Sequence, residues 1–276
     1  MATFFGEVVS VFSRAVEEDD EEELDEDEED AQIRRELEEK RQVHLNWSPA
    51  VCDALKTGDK LTCSHFILAV GHNASRFLSV YVLASEKWDA VGRASVWNER
   101  SQPGSGEQSC VFYRHRDEPS VLICQLTCYV AEDQQFQWAE KVLDCLQHRE
   151  LHVTVLSDSS VADYKSAEYL GGNSAPFLRS LHTTTFNGPP VCPALEQPNI
   201  LTGLPAAVLN HCQVHRIPAV VYQCFTDVIG TDSVTMETYK PALVNLGPSI
   251  KLDHCPSSDA LRKIVRTRDP QSNLYI

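Results

Sequence analysis

Three stretches of the chain predict an α/β fold, a sheet covered by helices. Phe66-Ile67-Leu68-Ala69-Val70 is a continuous apolar run, and Ile217 to Phe225 is nearly one. A strand without a polar face is a strand covered on both sides. Glu132 to His148 follows the helical period instead. Phe136, Ala139, Val142, Leu143 and Leu146 share a face, acids open the segment, and His148 with Arg149 close it. Strands alternating with helices indicate a sheet with helices packed on it.

The chain has 276 residues, enough to bury a sizeable core in one large or two small domains. Its formal charge of −16 is concentrated in one place. Residues 17–30 hold 13 acids, interrupted only by Leu24; without them 27 acidic residues face 24 basic ones, a net of −3. Such a block repels itself and buries nothing, so it predicts a disordered arm on a nearly neutral body. The basic residues near Arg262 are too few for a phosphate-binding stripe, which excludes nucleic acid as the expected partner. No run reaches transmembrane length, so membrane insertion is not expected. The opening lacks the basic and apolar regions of a secretory signal, so the ten cysteines are expected to be reduced thiols in the cytosol. Asn46-Trp47-Ser48 and Asn73-Ala74-Ser75 match the glycosylation pattern but carry little weight without an export signal.

In chain order, residues 1–16 are weakly amphipathic, the acidic arm follows, and Ala31 to Gln42 read as a polar helix. Apolar runs of the body begin near residue 60. The strand at Phe66–Val70 is broken by Gly71, and Phe77, Leu78, Tyr81 and Val82 continue at helical spacing. Trp97 closes a short strand candidate, and Gln102-Pro103-Gly104-Ser105-Gly106 is an exposed loop. Cys110–Tyr113 and Val121–Val130 read as a hairpin across Arg116-Asp117-Glu118-Pro119. The helix from Glu132 leads to a strand at Leu151–Leu156. Residues 171–199, rich in Gly, Pro, Asn and Ser, predict a long surface loop with one short helix near Pro176–Leu181. Leu204–His215 is a helix with Pro205 in its first turn, and the strand beginning at Ile217 tolerates Pro218 near its start. Asp232–Leu246 is a helix candidate. A last helix follows Ser257 as N-cap, with Leu261, Ile264 and Val265 as its stripe and Pro270 as its stop.

No constellation of residues presents a convincing catalytic set, cofactor site or metal site. Gly71-His72-Asn73 sits where a strand turns into a helix, a position that often binds phosphate, but it has neither a glycine-rich loop nor a following lysine. His211 and His215 have the spacing of two metal ligands on a helix, yet Cys212 stands where a zinc protease has its glutamate and no third ligand is evident; ordinary histidines are the expectation. Cys124 and Cys128, four apart in a strand, are separated by roughly 13 Å and neither chelate nor bridge. Asp158-Ser159-Ser160 lacks the glycines of a nucleophile elbow, and Glu132 with Asp133 are helix-start acids.

The chain closes on Asp269-Pro270-Gln271-Ser272-Asn273-Leu274-Tyr275-Ile276. Leu274 and Tyr275 place apolar area beside the terminal carboxylate of Ile276, the composition of a compact docking peptide. Beyond Pro270 the extended tail reaches roughly 20 Å.

Several segments together resemble one family. Phe66–Asn73 (FILAVGHN), Cys128–Trp138 (CYVAEDQQFQW), Leu195–Ile200 (LEQPNI), Leu204–Leu209 (LPAAVL), Ile217–Val228 (IPAVVYQCFTDV) and Gln271–Tyr275 (QSNLY) are similar to the proteasome assembly chaperones, as are Ala2–Val9 and the acidic arm. The resemblance implies a non-enzymatic chaperone that pairs with proteasome assembly chaperone 2. The heterodimer would promote assembly of the 20S proteasome α-ring and prevent α-rings from dimerising off-pathway. It further implies a fold similar to that of purine nucleoside phosphorylases, without their active site, and a cytoplasmic location with endoplasmic reticulum association. The family's terminal hydrophobic-Tyr-X motif falls on Leu274, Tyr275 and Ile276, which would bind pockets between neighbouring α subunits. The expected organisation is an acidic arm over 1–44, disordered or partly helical, an α/β domain over 45–268 and a docking tail over 269–276. Two rivals are an enzyme of nucleoside phosphorylase type, which needs a phosphate site, and a binder of basic proteins acting through the arm.

A mobile arm contributes nothing to the core. Deleting residues 17–30 is therefore expected to leave the melting temperature nearly unchanged; a fall of several degrees in a thermal melt would mean that the arm packs on the body.

Overall fold

A computed structural model of the protein describes residues 28–56, 60–97, 110–165, 175–189 and 191–243, together with 250 and 256. The chain divides into two units, Met1–Lys40 and Arg41–Ile276. Within the first, the described part is the polar helix α1 (Glu28–Lys40), with Ile33 and Leu37 one turn apart and exposed. This agrees with the polar helix expected near Ala31–Gln42.

The second unit runs β1 (His44–Trp47), α2 (Pro49–Lys56), β2 (His65–Val70), α3 (His72–Tyr81), β3 (Trp88–Ser95), β4 (Cys110–His115), β5 (Val121–Leu126), α4 (Glu132–Asp144), β6 (His152–Ser160), β7 (Phe177–His182), α5 (Gly203–Val214), β8 (Ala219–Thr226), α6 (Ser233–Glu237) and α7 (Lys240–Leu243). Its sheet has eight strands in the order β1-β3-β4-β5-β2-β6-β8-β7. The four central strands, β5, β2, β6 and β8, are mutually parallel. Antiparallel strands extend the sheet on both sides. The α/β class with helices covering a sheet is therefore observed.

The apolar run of β2 has a direct explanation. Phe66 and Leu68 point to one face, Ile67 and Ala69 to the other, and all four are fully buried. On the first face they meet Trp138, Ala139, Val142 and Leu143 of α4 and Val208 and Cys212 of α5. The second face is covered by Phe77, Leu78 and Tyr81 of α3 and by Met236 and Tyr239. Each large side chain buried this way contributes roughly 1.5–3 kcal/mol. Cys110 and Cys124 face one another with sulfurs 3.5 Å apart, too far for a disulfide, and Cys124 is fully buried. The described cysteines are free thiols.

The structure corrects several sequence-based expectations. The sheet begins at His44, ahead of the apolar runs, because α4 holds the segment before it. Gln137 Oε1 accepts from Val43 N at 2.6 Å, Lys141 Nζ donates to Val43 O at 2.9 Å, and Gln134 Nε2 donates to Arg41 O at 2.6 Å. That polar clamp turns α4 so that Gln134 and Trp138 are buried while Phe136, assigned to the core face from its spacing, is 60% exposed. Residues 177–182, expected as part of a loop with a short helix, form the edge strand β7, paired antiparallel with β8. Its outer side is covered by the segment that follows: Ser180 N donates to Pro193 O and Leu195 N to Ser180 O. Covering an edge removes a template for unwanted pairing. The β5 strand stops at Leu126 rather than Val130, and β3 ends at Ser95, short of Trp97. The helix expected over 232–246 is two short pieces, interrupted ahead of Pro241, which lacks an N–H. The 102–106 loop and the last helix lie outside the described residues.

The two faces of α4 make a sharp contrast. Leu143→Ala is expected to cost roughly 2–5 kcal/mol in a denaturant titration, whereas Phe136→Ala is expected to stay within about 0.5 kcal/mol.

Candidate functional site

In an open α/β sheet, neighbouring parallel strands whose connections leave to opposite faces open a crevice at their carboxyl ends, and ligands bind there. Here β2 leads into α3 on one face while β5, its neighbour, leads into α4 on the other. The Gly71-His72-Asn73 turn stands at that crevice. Gly71 has φ 96°, and a Cβ on it would lie 2.6 Å from Asp158 Oδ1 at the end of β6. The close approach and the left-handed backbone both require glycine.

The turn is tied to the strands on the other side of β2. Asn73 is buried; its Nδ2 donates to Gly230 O at 3.0 Å and to Asp158 Oδ2 at 3.4 Å, and its Oδ1 accepts from Asp232 N at 2.9 Å. Asp232 then caps α6, with Oδ2 accepting from Thr235 N at 2.9 Å. The buried Tyr239 donates its hydroxyl to Ser157 O at 2.8 Å, and Ser157 Oγ donates to Gln223 Oε1 at 2.6 Å. One asparagine thus ties the β2–α3 turn, the end of β6 and the segment after β8 together. Burial holds the Asp158 carboxyl above its ordinary value, opposed by hydrogen bonds from Asn73 and the Ala74 backbone and by the charge of His72. Among the described residues Asp158 Oδ1 is inaccessible and has no hydrogen-bond partner. A buried carboxyl beside the turn supplies no cradle of donors for a phosphate.

Several apolar side chains are exposed on the segments at this end of the sheet. Tyr129 after β5, Phe136 in α4, Ile200 before α5, Val228 and Ile229 after β8, and Val234 in α6 are all exposed. The topology brings each of them to the carboxyl end of the parallel strands. Apolar side chains gathered at one end of a domain mark a surface for another protein. Nearby, Arg179 stacks over Tyr164 and Phe177 and pairs with Glu196 at 3.2 Å, and Tyr164 hydrogen-bonds Glu196. At the amino end, a cleft of about 360 Å³ is lined by His65, His152, Phe186 and Tyr222, among others.

Of the other residues singled out from the sequence, Glu132 and Asp133 open α4 as expected. Asp158, Ser159 and Ser160 end β6, and Asp158 lies against Gly71. His211 and His215 lie at the end of α5 with ring centroids 4.2 Å apart. Leu274, Tyr275 and Ile276 lie outside the described residues. What sequence reasoning missed is the partnership of Asn73 with Asp158, Gly230 and Asp232. The isolated Gly71-His72-Asn73 turn was its only visible sign, since the partners are 85 to 159 residues away.

Comparison with known proteins bears on this surface. A family model described as proteasome assembly chaperone 4 matches residues 1–276. Proteasome assembly chaperone 1 of Danio rerio is 51% identical over 284 residues, covering 100% of both chains. The Homo sapiens protein of that name is 44% identical over 285 residues, covering 99% of each. Among solved structures, Pyrococcus furiosus PbaA, described as an archaeal homolog of proteasome-assembly chaperone, superposes with a TM-score of 0.53 at 10% identity, over 80% of this chain and 87% of that one. At that identity the likeness is one of fold.

The Asp158 carboxyl generates a prediction with a definite sign. Its pKa is raised in the folded state, so the ionised form costs stability at neutral pH. Below 3.8, its ordinary value, folded and unfolded chains both carry the proton and the cost disappears. Asp158→Asn is therefore expected to raise the melting temperature at pH 7, with the gain fading as the pH falls toward 3.8. Melts of the two proteins across that range check it; equal stability at every pH would mean that the carboxylate is fully compensated.

Proposed function

The chain belongs to the proteasome assembly chaperone family, and from that premise we propose that it is a non-enzymatic chaperone of 20S proteasome assembly. In this reading it forms a heterodimer with proteasome assembly chaperone 2. The heterodimer promotes formation of the α-ring, keeps α-rings from dimerising off-pathway, and acts in the cytoplasm with endoplasmic reticulum association. The observation that carries the reading is similarity over the whole length to proteins named proteasome assembly chaperone 1. Two structural features support it: the β2–α3 turn is bound to Asp158, Gly230 and Asp232 rather than open as a phosphate loop, and several apolar side chains are exposed at that end of the sheet. No helix among the described residues is long and apolar enough to cross a membrane.

We further infer that the terminal Leu274-Tyr275-Ile276 docks between α subunits. Tyr275 supplies ring area and a hydroxyl, Leu274 adds apolar contact, and the Ile276 carboxylate pairs with a lysine of the pocket.

Co-expression and a binding assay test both parts. The chain with its partner is expected to give a soluble one-to-one complex; a monomer that ignores the partner would overturn the heterodimer. Removing residues 274–276 is expected to leave the fold and the heterodimer intact and to weaken α-ring binding. Tyr275→Ala should reproduce most of that loss, about 2 kcal/mol or more for a buried anchor. Adding one residue after Ile276 should also weaken binding, because it displaces the carboxylate. If the truncated and extended chains both bind as tightly as the original, the body surface carries the affinity and the tail does not.

A further inference from the structure

Helices α4 and α5 pack side by side on the same face of the sheet. Both run from the carboxyl end of the strands back to the amino end, so their C-termini come together. There Asp144, the last residue of α4, and His148 just beyond it meet His211 in the last turn of α5. One ligand atom from each of these three residues lies within 4.8 Å of the others. His215 stands beside them, with its ring 4.2 Å from that of His211 and 5.9 Å from that of His148.

Two details bear on ligation. His148 Nε2 lies 3.0 Å from Leu143 O. A carbonyl only accepts, so Nε2 carries the proton and Nδ1 keeps its lone pair, the arrangement that orients a metal-binding imidazole. Among the described residues His211 Nε2 is inaccessible and has no hydrogen-bond partner. Two helix C-termini aimed at one place add partial negative charge that favours a cation.

We propose that Asp144, His148 and His211 form a binding site for a zinc-class divalent ion that braces α4 against α5, with His215 in reach as a fourth ligand. Imidazole nitrogens with one carboxylate suit zinc or its congeners and do not suit calcium or magnesium. Ligands on a tetrahedral zinc stand about 3.4 Å apart, as follows from Zn–N bonds near 2.0–2.1 Å. The site therefore closes by small rotamer changes, the easiest being in the exposed Asp144.

The test uses the full chain without an affinity tag, stripped by chelator and titrated with cobalt(II) and then zinc(II). One equivalent of cobalt(II) is expected to bind with the visible bands of a nitrogen and oxygen site, and zinc(II) to displace it and raise the melting temperature by several degrees. His148→Ala and His211→Ala should each weaken zinc binding at least tenfold, while the remote His182→Ala should not. Asp144→Asn, at an exposed position, separates ligand loss from misfolding and should also weaken binding. A stripped chain that takes up no cobalt(II), a spectrum dominated by thiolate charge transfer from the cysteines, or unchanged zinc affinity in a folded His148→Ala/His211→Ala chain would overturn the site.

Discussion

Burial of β2 on both faces is the constraint on which the rest depends. Phe66 and Leu68 need cover on one side, Ile67 and Ala69 on the other. The backbone groups of the strand are satisfied by β5 and β6, both parallel to it. Parallel neighbours cannot be joined by tight turns, so the chain must travel back over a face of the sheet each time. Those return paths place α3 on one face and α4 with α5 on the other, which supplies the required cover. The same requirement divides the connections leaving β2 and β5 and opens the crevice at their carboxyl ends.

Beside that crevice the β2–α3 turn serves as a joint. Gly71 lets the turn pass close to Asp158, and Asn73 bonds to the end of β6 and to the segment after β8 simultaneously. A buried network of this kind holds connections in register because each member left unpaired would cost free energy. Exposed apolar side chains, from Tyr129 to Val234, lie on the segments at the same end of the sheet.

The two ends of the sheet carry different side chains. Segments leaving the parallel strands expose apolar residues, while helix C-termini returning to the amino end bring Asp144, His148 and His211 together. A brace between α4 and α5 at that end would leave the surface at the opposite end untouched. The edge strands β1 and β7 are held by separate means. Polar side chains of α4 anchor the segment that enters β1, and residues 193–195 cover β7.

The central strands and most of the helices were legible in the sequence because burial on both faces, or on one helical stripe, leaves a periodic trace in residue type. The acidic run and the Leu274-Tyr275-Ile276 ending are likewise local patterns of charge and apolarity, and they lie largely outside the described residues. Features that depend on distant partners were not. Phe136 has the spacing of a core residue, but backbone groups of residues 41 and 43 recruited the polar side chains of α4 and turned it outward. β7 is an edge strand with only Leu178 and Ser180 buried, too little to show a period against its glycine- and proline-rich surroundings. His211 found its neighbours Asp144 and His148 only through packing of one helix on another. By itself the sequence determined which segments had to be inside and which outside; which buried segments became neighbours was decided by the tertiary structure, because the cover for each apolar face comes from residues far away in the chain.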